Sequence, residues 1–256
     1  MTISPEDEKS NRADRGEITQ SSAAYHRLLD DILWGRLEAD HRLRLNELKE
    51  KYSIGSSPLR EALSRLAESG FVLREENRGF RVCPMTSAEL DELIRTRCWL
   101  EEIALRDSIR NGDKDWESRI ILAFHWLSRS SRSEDGAGET TPAWEKLHSD
   151  FHAALISACS SKILIDYCEQ LRYRTLRYRN LAVTAGHWEQ KERDEHNRLC
   201  EAVINKDEEA AVACLREHFT AAQHILSASG ALPTPNGADE PAADHQPLKR
   251  ERRCEE

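Results

Sequence analysis

Residues 45 to 82 read LNELKEKYSIGSSPLREALSRLAESGFVLREENRGFRV, and the punctuation of this stretch decides the architecture of the N-terminal part of the chain. Asn46 to Tyr52 make a short helix with Leu45 and Leu48 on its apolar side. Ser53-Ile54-Gly55 supplies a tight polar turn in which glycine costs little. In the second helix Ser57 is placed as the N-cap and Pro58 as the first helical residue, where a missing N–H does no harm. Leu59, Leu63 and Leu66 fall on one stripe, which stops before Gly70. Phe71-Val72-Leu73 and Phe80-Arg81-Val82 then read as two strands around the polar turn Glu75-Glu76-Asn77-Arg78-Gly79. Two helices, a turn and a hairpin in this order make a winged helix-turn-helix.

Such a unit lays the start of its second helix in the major groove of DNA, where the first-turn amides and the helix dipole meet a phosphate. Ser56, Ser57, Arg60 and Ser64 or Arg65 then face the groove, and Arg78 at the wing tip faces the minor groove. Arg60 is suited to bond two guanine acceptors at once, worth about 1–3 kcal/mol of base discrimination. The alternative is a purely structural subdomain in which Arg60 is solvated and pairs with a neighbouring glutamate.

PLREALSRLAESGFV followed by NRGFRV resembles the DNA-binding domain of GntR-type bacterial transcription regulators, over about residues 24 to 84. Where that family usually has an arginine after Val-Ser, this chain has Ser56. The resemblance therefore implies that the specificity contact rests on Arg60 alone.

The 256 residues, 39% of them hydrophobic, suffice for two domains, with boundaries expected at 21–84 and 85–229. No apolar run approaches the length of a membrane span, and the charged N-terminus has no apolar leader segment, so a cytoplasmic location is expected. Seven cysteines without a Cys-x-x-Cys pair read as reduced core residues. The net charge of −9 is unevenly spread. Residues 25–84 hold 11 Lys and Arg against 10 Asp and Glu, whereas residues 85–229 hold 19 against 25. A head so weakly positive grips DNA poorly by charge alone, which points to a homodimer on a palindromic double-stranded operator and to strong salt sensitivity. Residues 1–20 and 230–256, rich in Pro, Gly, Ala and charge, are expected to be disordered.

From Thr86 onward the pattern is helical: a long helix from Ser87 to about Asn111, then segments near 113–131, 142–160, 161–183, 187–205 and 207–228. The fold class is thus mainly α, a winged helix-turn-helix followed by an antiparallel bundle of six or seven helices. Within the bundle His148 and His152 lie four residues apart on one helix face, His196 shares a stripe with Leu199, Cys200 and Val203, and His218 one with Leu215, Ala222 and Ile225. Four inward imidazoles make a plausible nitrogen site for a divalent ion such as zinc or nickel; separate core histidines are the alternative. Arg97, on the inward stripe of the long helix, is suited to hold a carboxylate at both oxygens, the alternative being a salt bridge with Glu101. Of Arg172, Arg174, Arg177 and Arg179 at most one or two are expected to face inward, the rest forming a solvated face.

Leu147-His148-Ser149-Asp150-Phe151-His152, Glu195-His196 and Arg216-Glu217-His218 resemble the metal-binding motifs of the all-helical FCD ligand-sensing domain in the FadR subgroup of GntR regulators, over about residues 87 to 228. The resemblance implies that His152, His196 and His218 are metal ligands and that Arg97 faces an effector pocket. His148 stands where the subgroup usually has Asp, so it either completes the metal site or binds a carboxylate effector. Asp150, two residues from His152, points to another face. A narrower likeness to glutarate-sensing repressors of the subgroup implies a repressor of carboxylate catabolism released by a small dicarboxylate. The alternatives are a metal sensor without an organic effector and a metal-dependent hydrolase, for which no general base is evident.

Overall fold

The computed structural model describes residues 19–76, 78–132, 140–185, 189–230 and 232. The ends expected to be disordered lie outside these residues except at their inner edges, as does Asn77 of the wing turn. Gln20, expected to be disordered, is instead the first residue of a helix.

Helix α1 (Gln20–Leu33) is capped by Thr19, whose hydroxyl accepts from the amide of Ser22. Its stripe of Ala24, Leu28 and Ile32 is buried against α3 (Ser56–Glu68). Between them come β1 (Arg42–Leu43) and α2 (Leu45–Tyr52), and after them β2 (Val72–Glu75) and β3 (Gly79–Val82). The sheet is antiparallel in the order β1-β3-β2, with Leu43 opposite Phe80 and Leu73 opposite Arg81. Leu28, Leu59, Leu63, Leu66, Val72 and Val82 form the centre of the head's core.

Two details of the turn differ from expectation. Gly55, not Ser57, occupies the N-cap of α3 and makes no side-chain cap bond, so Ser56, Ser57 and Pro58 are the first three helical residues. Pro58 is still harmless there, because first-turn amides have no intrahelical acceptor. The left-handed residue is Ser53 (φ 54°), which ends α2, while Gly55 is extended. The wing hairpin forms where expected, but its strands extend into the expected turn: Glu75 ends β2 and pairs with Gly79, which opens β3 at φ 92°. Strand β1 was not anticipated, since two residues carry no readable alternation.

The bundle comprises α4 (Ser87–Asn111), α5 (Lys114–Arg129), α6 (Pro142–Leu155), α7 (Lys162–Ala185), α8 (Glu189–Ile204) and α9 (Glu208–Ser229). Side chains of Thr86, Asp113, Thr141 and Asp207 cap the starts of α4, α5, α6 and α9, and left-handed Gly230 ends α9. Helix α6 stops at Leu155, five residues short of its expected end. Leu90, Leu105, Trp116, Ile120, Phe151, Leu155, Leu199 and Leu215 lie in the bundle's core. Helix α7 packs on α4 and α9 within the bundle and also on α1 of the head.

Candidate DNA-binding face and buried imidazole cluster

The start of α3 is exposed at Ser56, Ser57 and Arg60. Arg60, Ser64 and Arg78 line one groove between α3 and the wing, together with Arg42, Arg44 and Arg74. Among the described residues Arg60 makes no ion pair, so its guanidinium is available to a base edge. Arg65 is exposed but stacks over the Tyr25 ring at 4.3 Å, on α1 rather than in the groove. The place of Arg42 and Arg44 beside Arg60 depends on the two-residue strand β1, which has no sequence signature, and that of Arg74 on β2 running past Leu73. Arg44 bonds Glu47 at 3.0 Å on the exposed surface, a pairing readily exchanged for a phosphate.

In the bundle, α6, α8 and α9 bring His148, His152, His196 and His218 into one buried cluster. One nitrogen from each lies within 4.8 Å of the others. Nε2 of His148 is 3.2 Å from Nε2 of His152 and 3.4 Å from Nε2 of His218. Nitrogens sharing a tetrahedral zinc at about 2.0–2.1 Å stand about 3.3–3.4 Å apart, so this spacing fits a common ion. Nε2 of His196 is buried without a hydrogen-bond partner among the described residues, as suits a ligand atom. Glu195 approaches His218 Nδ1 at 3.2 Å and orients that ring with Nε2 toward the cluster.

All four imidazoles are at most 6% exposed, and burial foremost, then neighbouring imidazoles and arginines, pushes their pKa values down. His218 falls to about 3, through burial and then Arg179, Arg97 and Arg132. Neutral imidazoles have the lone pairs a metal needs. The same shift disfavours His148 as an imidazolium binding a carboxylate. Arg179 lies 2.6 Å from His148 Nδ1, and Trp144 stacks on the His148 ring at 5.0 Å. Asp150 is exposed and bonded to Lys146, away from the cluster.

Arg97 is buried, as expected, and also paired: it bonds Glu101 and Thr175, each at 2.8 Å, and lies 3.9 Å over the Phe219 ring. It lines a narrow cavity with Arg172, Arg179, His148 and His218, which places a carboxylate-binding side chain beside the imidazoles. The α7 arginines depart from expectation. None forms a merely solvated face: Arg172 reaches the Ser149 carbonyl, Arg174 pairs with Glu89, Arg177 bonds the Cys83 carbonyl and Arg179 pairs with Glu145. Apart from Glu169 of α7 itself, which also pairs with Arg172, these partners lie outside α7, where a helical wheel of that helix cannot show them.

Residues 20–82 match the family of bacterial regulatory proteins of gntR type, and residues 92–221 match the FCD domain. The chain belongs to the GntR family. This GntR regulator is 35% identical over 211 residues to the HTH-type transcriptional regulator BphR of Paraburkholderia xenovorans, covering 82% of this chain and 86% of that protein. It is 31% identical over 200 residues to the HTH-type transcriptional repressor GlaR of Escherichia coli, covering 76% and 90%. The fold is that of E. coli McbR/YncC, with a TM-score of 0.68 at 22% identity over 83% of this chain and 99% of that one. A GntR regulator from Rhodococcus sp. RHA1 superposes with a TM-score of 0.66 at 21% identity, over 82% and 98%. Its families and relatives are transcription regulators, so this GntR protein is a DNA-binding regulator and not an enzyme.

Proposed function

We propose that this regulator is a cytoplasmic, dimeric, one-component repressor of a carboxylate catabolic operon, released by a small dicarboxylate such as glutarate. Residues 21–84 are its DNA-binding head and residues 85–229 its sensing domain. Ser56, Ser57, Arg60 and Arg78 meet a palindromic operator, with Arg60 reading bases and the others positioning the head. Arg42, Arg44 and Arg74 join them by sharing the groove.

One observation carries the sensing part: four imidazoles converge, and two of them, His148 and His218, line the same cavity as Arg97. His148, His152, His196 and His218 would hold a divalent ion, zinc or nickel, which supplies a fixed positive charge for one carboxylate. Arg97 is placed to hold carboxylate oxygens, and His148 to approach the same ligand. An effector shifts operator affinity only through its different affinity for the two placements of the heads. For the dimer, the supporting feature is an exposed apolar stripe of Trp99 and Ile103 on α4 with Ile163 and Tyr167 on the packed helix α7. A second copy of this chain is its proposed occupant, because one head of nearly balanced charge needs a second on the same DNA. Among the described residues no helix is long and apolar enough to cross a membrane.

The test is fluorescence anisotropy of DNA from the gene's own upstream region, with zinc and with and without glutarate. Binding that is lost in Arg60→Ala and weakened by glutarate supports the reading. Binding indifferent to glutarate discards that effector, and binding unaffected by Arg60→Ala discards the groove contact. A metal sensor without an organic effector is favoured by one observation, that Arg97 is already bonded to Glu101 and Thr175. In that case Arg97→Ala leaves the response to zinc intact and no carboxylate alters it.

A further inference from the structure

We infer that the segment Arg174 to Asn180 of α7 sets the placement of the DNA-binding head, with Leu176, Arg177 and Asn180 as positioning residues that couple it to the imidazole site. Leu176 is 7% exposed and is the one bundle residue in the head's buried apolar cluster among the described residues. It also lines the cavity that holds Arg97, His148 and His218. Arg177 is buried and donates to the Cys83 carbonyl at 2.9 Å, gripping the strand exit that leads from the wing into α4. Asn180 donates to the Leu33 carbonyl at 2.9 Å, one of the last-turn carbonyls of α1 that lack an intrahelical donor. Arg174 packs its guanidinium beside Gly70, 3.5 Å from where a Cβ would stand, and pairs with Glu89 at 2.7 Å.

The same stretch of helix is anchored to the site on its other side. Thr175 accepts from Arg97 at 2.8 Å, and Arg179, one turn on, lies 2.6 Å from His148 Nδ1. Thr175 and Arg179 are spaced by four residues, as are Leu176 and Asn180, so they form two neighbouring stripes of one helix. Helical hydrogen bonds keep those stripes in fixed relation. A displacement or rotation of Thr175 and Arg179 by a ligand is therefore delivered to Leu176 and Asn180 undiminished, and from them to α1 and the wing exit. Buried Arg177 is costly to desolvate, and its bond to a backbone carbonyl gives it a reason to be there that solvation of a charged face does not. The physical basis for coupling is a shared rigid element touched by both sites, rather than distance or sequence proximity.

This inference rests on the proposed sensing site only for the nature of the signal, so the experiment perturbs the site by mutation as well as by zinc. Amide hydrogen exchange is followed at the end of α1, residues 28–33, in the full chain. Thr175→Val is made alone and combined with Asn180→Ala or with Arg177→Met, two variants that leave the core of the head intact. The expected result is a change of about threefold or more in head exchange on Thr175→Val that shrinks to near unity in either combination, the mark of coupled residues. Zinc added to the protein should likewise slow head exchange in the wild type but not in Asn180→Ala, with zinc affinity equal in both. An undiminished Thr175→Val effect in both combinations overturns the inference. Failure of the wild type to bind zinc overturns the metal site alone, because the mutational cycle still decides the coupling.

Discussion

Asp31, at the end of α1, takes bonds from Tyr52 Oη and Arg36 Nε at 2.6 Å and lies 2.7 Å from Lys51 Nζ. Burial opposes its ionisation, yet these three donors hold its pKa down at about 2. A carboxyl more acidic in the folded state stabilises the head at neutral pH, and that contribution is lost as pH falls from about 4 through about 2. The shift corresponds to about 2 kcal/mol. Asp31→Asn should lower head stability by about that amount at pH 7, and its deficit against wild type should shrink as pH drops toward 2, as read by urea unfolding. At the imidazole cluster Arg179 makes His148 unlike the other three. Arg179 Nη1 lies 2.6 Å from Nδ1 and 3.2 Å from Nε2 of His148, so the guanidinium crowds both nitrogens of this one ring, including the Nε2 nearest His152 and His218. His148 must lose that contact before Nε2 can ligate. Competition with a chelator should therefore find zinc affinity reduced more than about 100-fold in His152→Ala and about 10-fold or less in His148→Ala. Residue identities and spacing made all four imidazoles legible in the sequence, since every one lies on an apolar helical stripe. Their inequality was not, because Arg179 reaches His148 from a different helix.

At the scale of elements, caps and stripes carried most of the fold. Thr86, Thr141 and Asp207 stand where helices begin, and Leu59, Leu63 and Leu66 face inward as their spacing requires. The cap of α3 falls on Gly55 rather than on either serine because the chain turns at Ser53, which lets the helix start two residues early, at Ser56. Gly112 closes α4 for a reason the sequence does not contain. Its φ of −65° suits any residue, but a Cβ there would stand 2.0 Å from the Trp116 ring. Gly112→Ala should destabilise the bundle by about 1–3 kcal/mol through overpacking around this fully buried tryptophan, measured as a lowered Tm. A Gly112→Ala protein as stable as wild type would mean that the α4 to α5 corner yields easily.

For the whole molecule, the exposed Trp99 and Ile103 stripe and the nearly balanced charge of the head make one prediction together. Trp99→Arg should dissociate the proposed dimer in sedimentation, and operator affinity should fall at unchanged head fold, because two linked heads bind far more tightly than one. A variant that remains dimeric would locate the interface elsewhere. By itself the sequence determined the mainly α class, the helix-turn-helix with its wing, the groove-facing Arg60 and the membership of the imidazole cluster. Each of these follows from local periodicity, capping chemistry or residue type within one element, where neighbours along the chain dictate the answer. Only the tertiary structure decided what the α7 arginines hold, that Arg97 is already paired, that β1 brings Arg42 and Arg44 beside Arg60, and that one turn of α7 touches both the imidazole site and the DNA-binding head. Most of those facts depend on contacts between separate elements, up to 147 positions apart in the chain, and no pattern within a single helix or strand encodes which carbonyl or carboxylate of another element will meet a given side chain.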